Sequence, residues 1–311
     1  MNKNNGFGLI ELMISILIAS IIVTGLYSLL TSSVVNYGFS TASSGAAKTS
    51  RQVGNIFNTL ISQAGFIGYK KVQANATHPR RDSQFQGNGA YGANPNWAQD
   101  QIIMGSNDGQ RLKVRFYGSS IEDDLIGAGT RQANGYVLDC RGIGVPNDVQ
   151  LELEFFVQNN AQNGQNGLVC RQNILVGAGN PNFDNNFTAQ QDFVIDPTVR
   201  RLEILYGASV PGMNNTGYWR ANDIIANNAG APNWDNITNI RYALVTSVDT
   251  GQRVVSVPAN TAIVVFNDNE FVDNNNVGDI QFQIEAGRQN FVHRVIKGDI
   301  SILNQYQYVS Q

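Results

Sequence analysis

The chain has 311 residues, enough for one large core or two modest ones, so length alone does not set the number of domains. Hydrophobic residues make up 42% but charged residues only 14%, well below the usual quarter, and Asn, Gln, Ser and Gly fill the gap. With 21 Lys and Arg against 24 Asp and Glu, the chain lacks the basic footprint of a nucleic-acid binder. Its one basic cluster, Lys70-Lys71 with His78-Pro79-Arg80-Arg81, reads as solvated loop.

Residues 7–30, FGLIELMISILIASIIVTGLYSLL, carry one charge, Glu11, in 24 positions, and fourteen of the 24 are Phe, Leu, Ile or Val. A bilayer span needs about 20 apolar residues. At roughly −0.5 kcal/mol per central apolar side chain, insertion outweighs the ~3 kcal/mol upper cost of one carboxylate near the interface. A secretory signal peptide would have a shorter apolar core and a small-residue exit site, which Ser28-Leu29-Leu30-Thr31 is not. A plain anchor leaves Glu11 unexplained, because an acidic residue inside a span implies a partner.

Before this run lies a short polar leader, MNKNNG, ending in Gly6; Phe7 follows, then Glu11 four residues on. The arrangement resembles the class III signal of type IV prepilins. That resemblance implies a leader, residues 1–6, removed by prepilin peptidase after Gly6, and a mature N-terminus at Phe7 that becomes methylated. It makes Glu11 the fifth mature residue. Gly8 departs from the Thr frequent there, and Lys3 is the only basic residue of the leader, a weak orientation signal. In a filament the spans would leave lipid and pack together, where the Glu11 carboxylate needs a counter-charge. The methylated amine of Phe7 on a neighbouring subunit would supply it and fix the axial register, a matter of specificity more than stability.

Past Leu30 the chain turns polar without breaking, and no proline occurs until Pro79. Val35, Phe39, Ala42, Ala46, Val53, Ile56 or Phe57, Leu60 and Ala64 recur mostly three or four apart, which is helical spacing. Gly38, Gly45 and Gly54 read as places of close helix approach, and Gly65 and Gly68 as the stop. The expectation is one helix over 7–65, membrane-spanning at about 7–30 and on the order of 85 Å long. Heptads do not persist, which argues against a coiled coil.

From residue 100 the period becomes two. Leu112, Val114 and Phe116 alternate, as do Val149, Leu151, Leu153 and Phe155; Leu202, Ile204 and Tyr206; and Ile240, Tyr242 and Leu244. Further strand candidates are Val254–Val257, Ala262–Phe266, Val292–Ile296 and Ile300–Leu303, with Asn, Gly and Pro turns between them. The fold class is α+β: a long N-terminal helix packed on an antiparallel sheet head over 66–311. Three turn segments, Gly92–Trp97, Asn180–Phe183 and Ala231–Trp234, each end in an aromatic residue that would pin a loop to the core.

Cys140 and Cys170, the only cysteines, stand in strand-like settings thirty positions apart. In an exported head a disulfide between them is expected. No CxxC occurs, and His78 and His293 lie in unrelated segments, so neither metal nor other cofactor is expected. Two scattered histidines offer no hydrolase triad, and Glu122-Asp123-Asp124 reads as solvated surface; the chain is not expected to be an enzyme. Asp268-Asn269-Glu270 with Asp273, Asn275 and Asp279 is oxygen-rich but lacks EF-hand spacing.

A narrower resemblance runs through the head. AGFIGY, QDQIIMG, VLDCRG, LEFFV with GLVCRQ, RRLEILYG, and Trp234 ahead of ITNIRYALVTSV together are similar to the PilW family of minor pilins. The family implies a low-abundance subunit that primes type IV pilus assembly with other minor pilins near the tip, supporting twitching motility, adhesion or DNA uptake. Implied partners are other minor pilins, the major pilin, the prepilin peptidase/methylase, the inner-membrane assembly platform and a large tip adhesin. The implied location is the inner membrane with a periplasmic head, then the pilus surface. A type II secretion minor pseudopilin shares leader, helix and tip position, although the head is large for one. A membrane-tethered ectodomain of unrelated role is the reading from a different class.

Overall fold

The computed structural model describes residues 8–67, 85, 97, 101–106, 108–120, 132–159, 166–176, 183, 190–209, 216–226, 234–249, 257–272, 278–288 and 291–302. The first element, α1, is a 54-residue helix over Leu9–Ser62. At 1.5 Å per residue it is about 80 Å long. Ala42, Ala46, Ser50, Val53, Phe57, Leu60 and Ile61 form its buried stripe, stepping by three or four. Of the pair Ile56 and Phe57, the helix turns Phe57 inward and leaves Ile56 exposed. Gln63 caps the helix, and Gly65, at φ 72, takes the left-handed turn that redirects the chain. The Gly65 N–H then donates to Arg115 O at 2.9 Å and the Tyr117 N–H to Phe66 O at 2.8 Å, docking the exit segment on a strand edge.

The head is built from strands β1 (Ile103–Gly105), β2 (Arg111–Tyr117), β3 (Gln150–Asn159), β4 (Asn166–Val176), β5 (Gln191–Asp196), β6 (Val199–Ser209) and β7 (Thr216–Trp219). A short helix α2 (Ala221–Ala226) and a 3₁₀ turn at Trp234–Asn236 follow, then β8 (Ile237–Asp249), β9 (Ala262–Phe266), β10 (Ile280–Gln283) and β11 (Phe291–Ser301). β1 to β5 make one five-stranded sheet in sequence order; a second sheet runs β11-β8-β6-β7, and β9 pairs with β10. Every pairing is antiparallel. The second sheet is covered on both faces. Leu202, Ile204, Tyr206, Ile240, Tyr242 and Leu244 join α1 and the first sheet in the main core. Leu205, Ala243 and Val245 pack instead with Phe266, Phe282 and Ile284 of the β9–β10 layer.

Phe57, fully buried, lies where the layers meet. Its ring is 5.0 Å from Phe155 on β3 and 4.9 Å from Tyr242 on β8, edge-to-face in both cases. The helix therefore wedges between the two sheets.

Two expectations are corrected here, for the C-terminal strands and for Cys140. The two C-terminal strands are one, β11, which runs through Gly298 because that residue pairs with Tyr242, whose ring lies 2.5 Å from where a Cβ would stand. Within the chain, Gly54 admits the head's Tyr242 hydroxyl, 3.2 Å from its Cβ position. Cys140 sits in a turn beside β4, which carries Cys170. Among the aromatic pins, Trp97 and Phe183 are buried and Trp234 stands edge-on to Tyr206 at 4.9 Å. The rest of those loops, Gly68, and Val254 to Ser256 lie outside the described residues.

Phe57→Ala should cost the head about 3–5 kcal/mol in a chemical unfolding titration, while Ile56→Ala, on the exposed side, should change it by about 0.5 kcal/mol or less.

Candidate functional site

The first candidate is the bare half of α1. Its large apolar side chains from Leu9 to Leu30 are all more than half exposed, from Ile18 at 51% to Leu9 at 80%. Burial begins only at Ala42. Monomeric soluble proteins do not leave an apolar surface of that extent in water, so it requires a cover. By length and composition the helix is able to cross a membrane. Its polar side chains fit such a cover. Ser15 Oγ donates to Glu11 O at 2.7 Å, Ser20 to Leu17 O at 2.8 Å, Thr24 to Ser20 O at 2.8 Å and Thr31 to Tyr27 O at 2.9 Å. Each of these four hydroxyls returns its proton to its own helix, so none of the four presents an unmet donor to lipid.

Glu11 stands in the first turn, and its Oε2 accepts the Gly8 N–H at 3.4 Å. A carboxylate there meets the partial positive charge of the helix N-terminus. Gly6 and Phe7 lie outside the described residues.

The second candidate is the cysteine pair. Cys140 and Cys170 form a disulfide, with Cα atoms 5.9 Å apart. The turn holding Cys140 is organised by the buried carboxylate of Asp139. It accepts the N–H groups of Arg141 at 2.8 Å and Ile143 at 2.9 Å, and the Arg141 Nε–H at 2.8 Å. The bridge therefore fastens a preformed turn to β4.

In the oxygen-rich segment the carboxylates of Glu270 and Asp279 are engaged by protein groups. Glu270 is engaged by the Asn267 N–H at 2.8 Å and by Lys297 Nζ at 2.6 Å, and Asp279 accepts the Asp268 N–H at 2.9 Å. Among the described residues no group of three His, Cys, Asp or Glu side chains could hold a metal ion. Asp273, Asn275, His78, the basic cluster around it and Glu122–Asp124 lie outside the described residues.

Two arrangements escape the sequence reading. On the first sheet's outer face, β2, β3, β4 and β5 align Lys113, Glu154, Arg171 and Asp192 as cross-strand partners. Glu154 bridges Arg111 at 3.1 Å and Arg171 at 3.6 Å, and both guanidinium groups lie 4.7 Å from the Phe156 ring. The alternation of charged and apolar residues in RLKVRFY and QLELEFF was its available signal. Beneath it, burial pushes the Glu152 carboxyl up from its ordinary value, opposed by Lys113 and by the Trp97 Nε1–H, 2.5 Å from Oε2. The other is Ser247 Oγ, 2.7 Å from His293 Nδ1, while His293 Nε2 is 3.2 Å from Arg288 O. With Nε2 donating to that carbonyl, Nδ1 accepts the serine hydroxyl. Ser247 is only 3% exposed, so the pair joins β8 to β11 and offers no open nucleophile. No signal short of the strand register would have found it.

Residues 1–27 match the family described as the prokaryotic N-terminal methylation motif. No curated protein matches the chain. Among solved structures, a type IV-like pilin from Thermus thermophilus aligns over 84% of this chain and 98% of its own, at 11% identity and a TM-score of 0.38. A likeness that loose carries no argument here.

Cys140→Ser should lower head stability by about 3–4 kcal/mol, measured without reductant, and the difference should vanish once reductant is present. Burial, above all, holds the His293 imidazole below its usual value, and the Arg288 charge acts the same way. The unfolded chain then takes up a proton near pH 6.5 that the folded chain does not. This contribution is complete above about pH 6.5 and is lost as pH falls from there through the lowered folded value. Glu152 and Glu203, both raised by burial, act in the opposite sense, so the readout is a difference between chains. The melting temperature at about pH 5.5 minus that at about pH 7.5 should be more positive in His293→Gln than in the natural head.

Proposed function

We propose that the chain is a type IV prepilin whose mature form is a minor pilin of the PilW kind, a structural subunit that helps to prime pilus assembly near the tip. The observation that carries this is one helix with two surfaces: the methylation motif and a bare apolar run at its start, and a packed stripe from Ala42 onward. An enzyme tethered to a membrane has no need of a helix that continues from anchor to core as a single rod. A filament subunit does, because the bare half becomes an assembly surface once it leaves lipid.

In this reading residues 1–6 are the leader, cleavage falls between Gly6 and Phe7, and Phe7 carries the methylated amine. The head waits in the periplasm on an inner-membrane anchor and reaches the cell surface by assembly, where other pilins are its partners. Glu11 needs a cation inside a bundle with little water, and the amine of a neighbour's Phe7 is the cation within reach of that register.

Gly6→Ala should leave full-length precursor in the inner membrane; a mature-sized band in that variant would sink the cleavage assignment. Glu11→Ala should insert normally yet enter filaments poorly, roughly tenfold less by immunoblot of sheared surface fractions, as expected where a buried charge loses its partner. Deletion should abolish surface piliation. Normal piliation with loss of protein secretion would instead assign the chain to a type II secretion pseudopilin.

A further inference from the structure

The end of α1 and the disulfide meet in one small loop. Gln63, only 8% exposed, reaches across to the main chain of Leu138. Its Oε1 accepts the Leu138 N–H at 2.5 Å, and its Nε2 donates to Leu138 O at 3.3 Å. The side-chain amide thus pairs with both main-chain groups of one residue, as a neighbouring strand would. Two residues on, Cys140 is bonded to Cys170, and its N–H donates to Oε1 of Gln172, which is fully buried on β4. Gln172 Nε2 in turn approaches Asp139 Oδ2 at 3.4 Å. The loop closes on itself through the Val145 N–H to Val137 O and the Asp139 N–H to Ile143 O, both 2.8 Å.

The two glutamines hold the loop from opposite sides, one from the helix end and one from β4. Only the β4 side has a covalent bond. We propose that Val137–Val145 is an oxidation-closed clasp on the end of α1. The Cys140–Cys170 bond keeps Leu138 where it satisfies Gln63, so opening that bond releases the turn that ends the helix, Gln63 to Phe66, as well as the loop. The coupling follows from burial, since an amide placed in the core keeps its conformation only while its partners stay in place. Closure is thiol–disulfide exchange: the two thiols give up two electrons and two protons to a disulfide oxidant, which leaves as a dithiol. In a reducing compartment the clasp stays open, and it shuts when the head meets such an oxidant. That timing rests on the proposed export of the head; the clasp itself does not, and its test requires no filament.

Hydrogen exchange on the full chain in detergent, oxidised and then reduced with a dithiol, reads the coupling directly. The probes are the amides of Ala64, Gly65 and Phe66, which donate to Ile61, Arg115 and Gln63. Reduction should speed their exchange about 10- to 100-fold, together with residues 138–145, while β8 and β9 keep their protection. In Gln63→Leu, with the disulfide intact, the same three amides should be fast already, and reduction should add little. Release of the loop alone on reduction would overturn the proposal, and so would a uniform loss across all strands. Wild-type protection of Ala64 to Phe66 in oxidised Gln63→Leu would overturn it as well.

Discussion

The architecture depends on the ring of Phe57 standing between Phe155 and Tyr242. One sheet contributes each partner, and the helix contributes the wedge, so no two of the three layers complete that part of the core without the third. This is why Val53, Leu60 and Ile61, on the same face of α1, and Ala64 just past its end are all buried within the same cluster. Tyr242 is served from both sides: Gly54 leaves room for its hydroxyl on the helix, and Gly298 for its ring on the adjacent strand. Small residues on two elements thus define the space that one aromatic residue fills, the complementarity on which a single packed arrangement rests.

That wedge divides the helix into lengths with different requirements. From Ala42 onward the buried stripe is mostly small residues at first, then bulky ones, as the head closes around the rod. Before it, Leu, Ile and Val occur around the whole circumference, the pattern of a helix with no preferred side. A head that grips only the far end leaves the near end able to meet lipid or other helices. On the proposed function both covers are used in turn.

Much of this was legible in the chain itself. The 24 residues from Phe7 to Leu30 declare their surroundings by composition, and a spacing of three or four between Val53, Phe57 and Leu60 declares a helix with one buried face. Alternation marked β2, β3, β6 and β8 because each sets apolar residues of one parity against the core. It did not mark β5, an edge strand only partly buried, whose register with β4 shifts between Leu168 and Val169. On β4 the setting of Cys170 read as strand, but nothing marked Gln172 as buried; it lies among apolar neighbours because it has a main-chain partner in Cys140. Burial of that kind depends on a residue thirty-two positions away, and no local pattern carries it. The same holds for Gln63, whose partner Leu138 is seventy-five positions away in sequence. Likewise Gly298 reads as a break until its cross-strand neighbour is known to be a tyrosine.

The inward-turned hydroxyls of Ser15, Ser20, Thr24 and Thr31 carry a consequence for lateral movement. With those four alcohols bonded to its own carbonyls, the rod shows its surroundings a largely hydrocarbon exterior, with little to match rotationally or to desolvate. Such a surface can trade fatty-acyl neighbours for helical ones, and one angular setting for another, at little energetic difference. Orientation must then be dictated from the two extremities: by the lone carboxylate at the beginning and by the gripped aromatic far along the shaft.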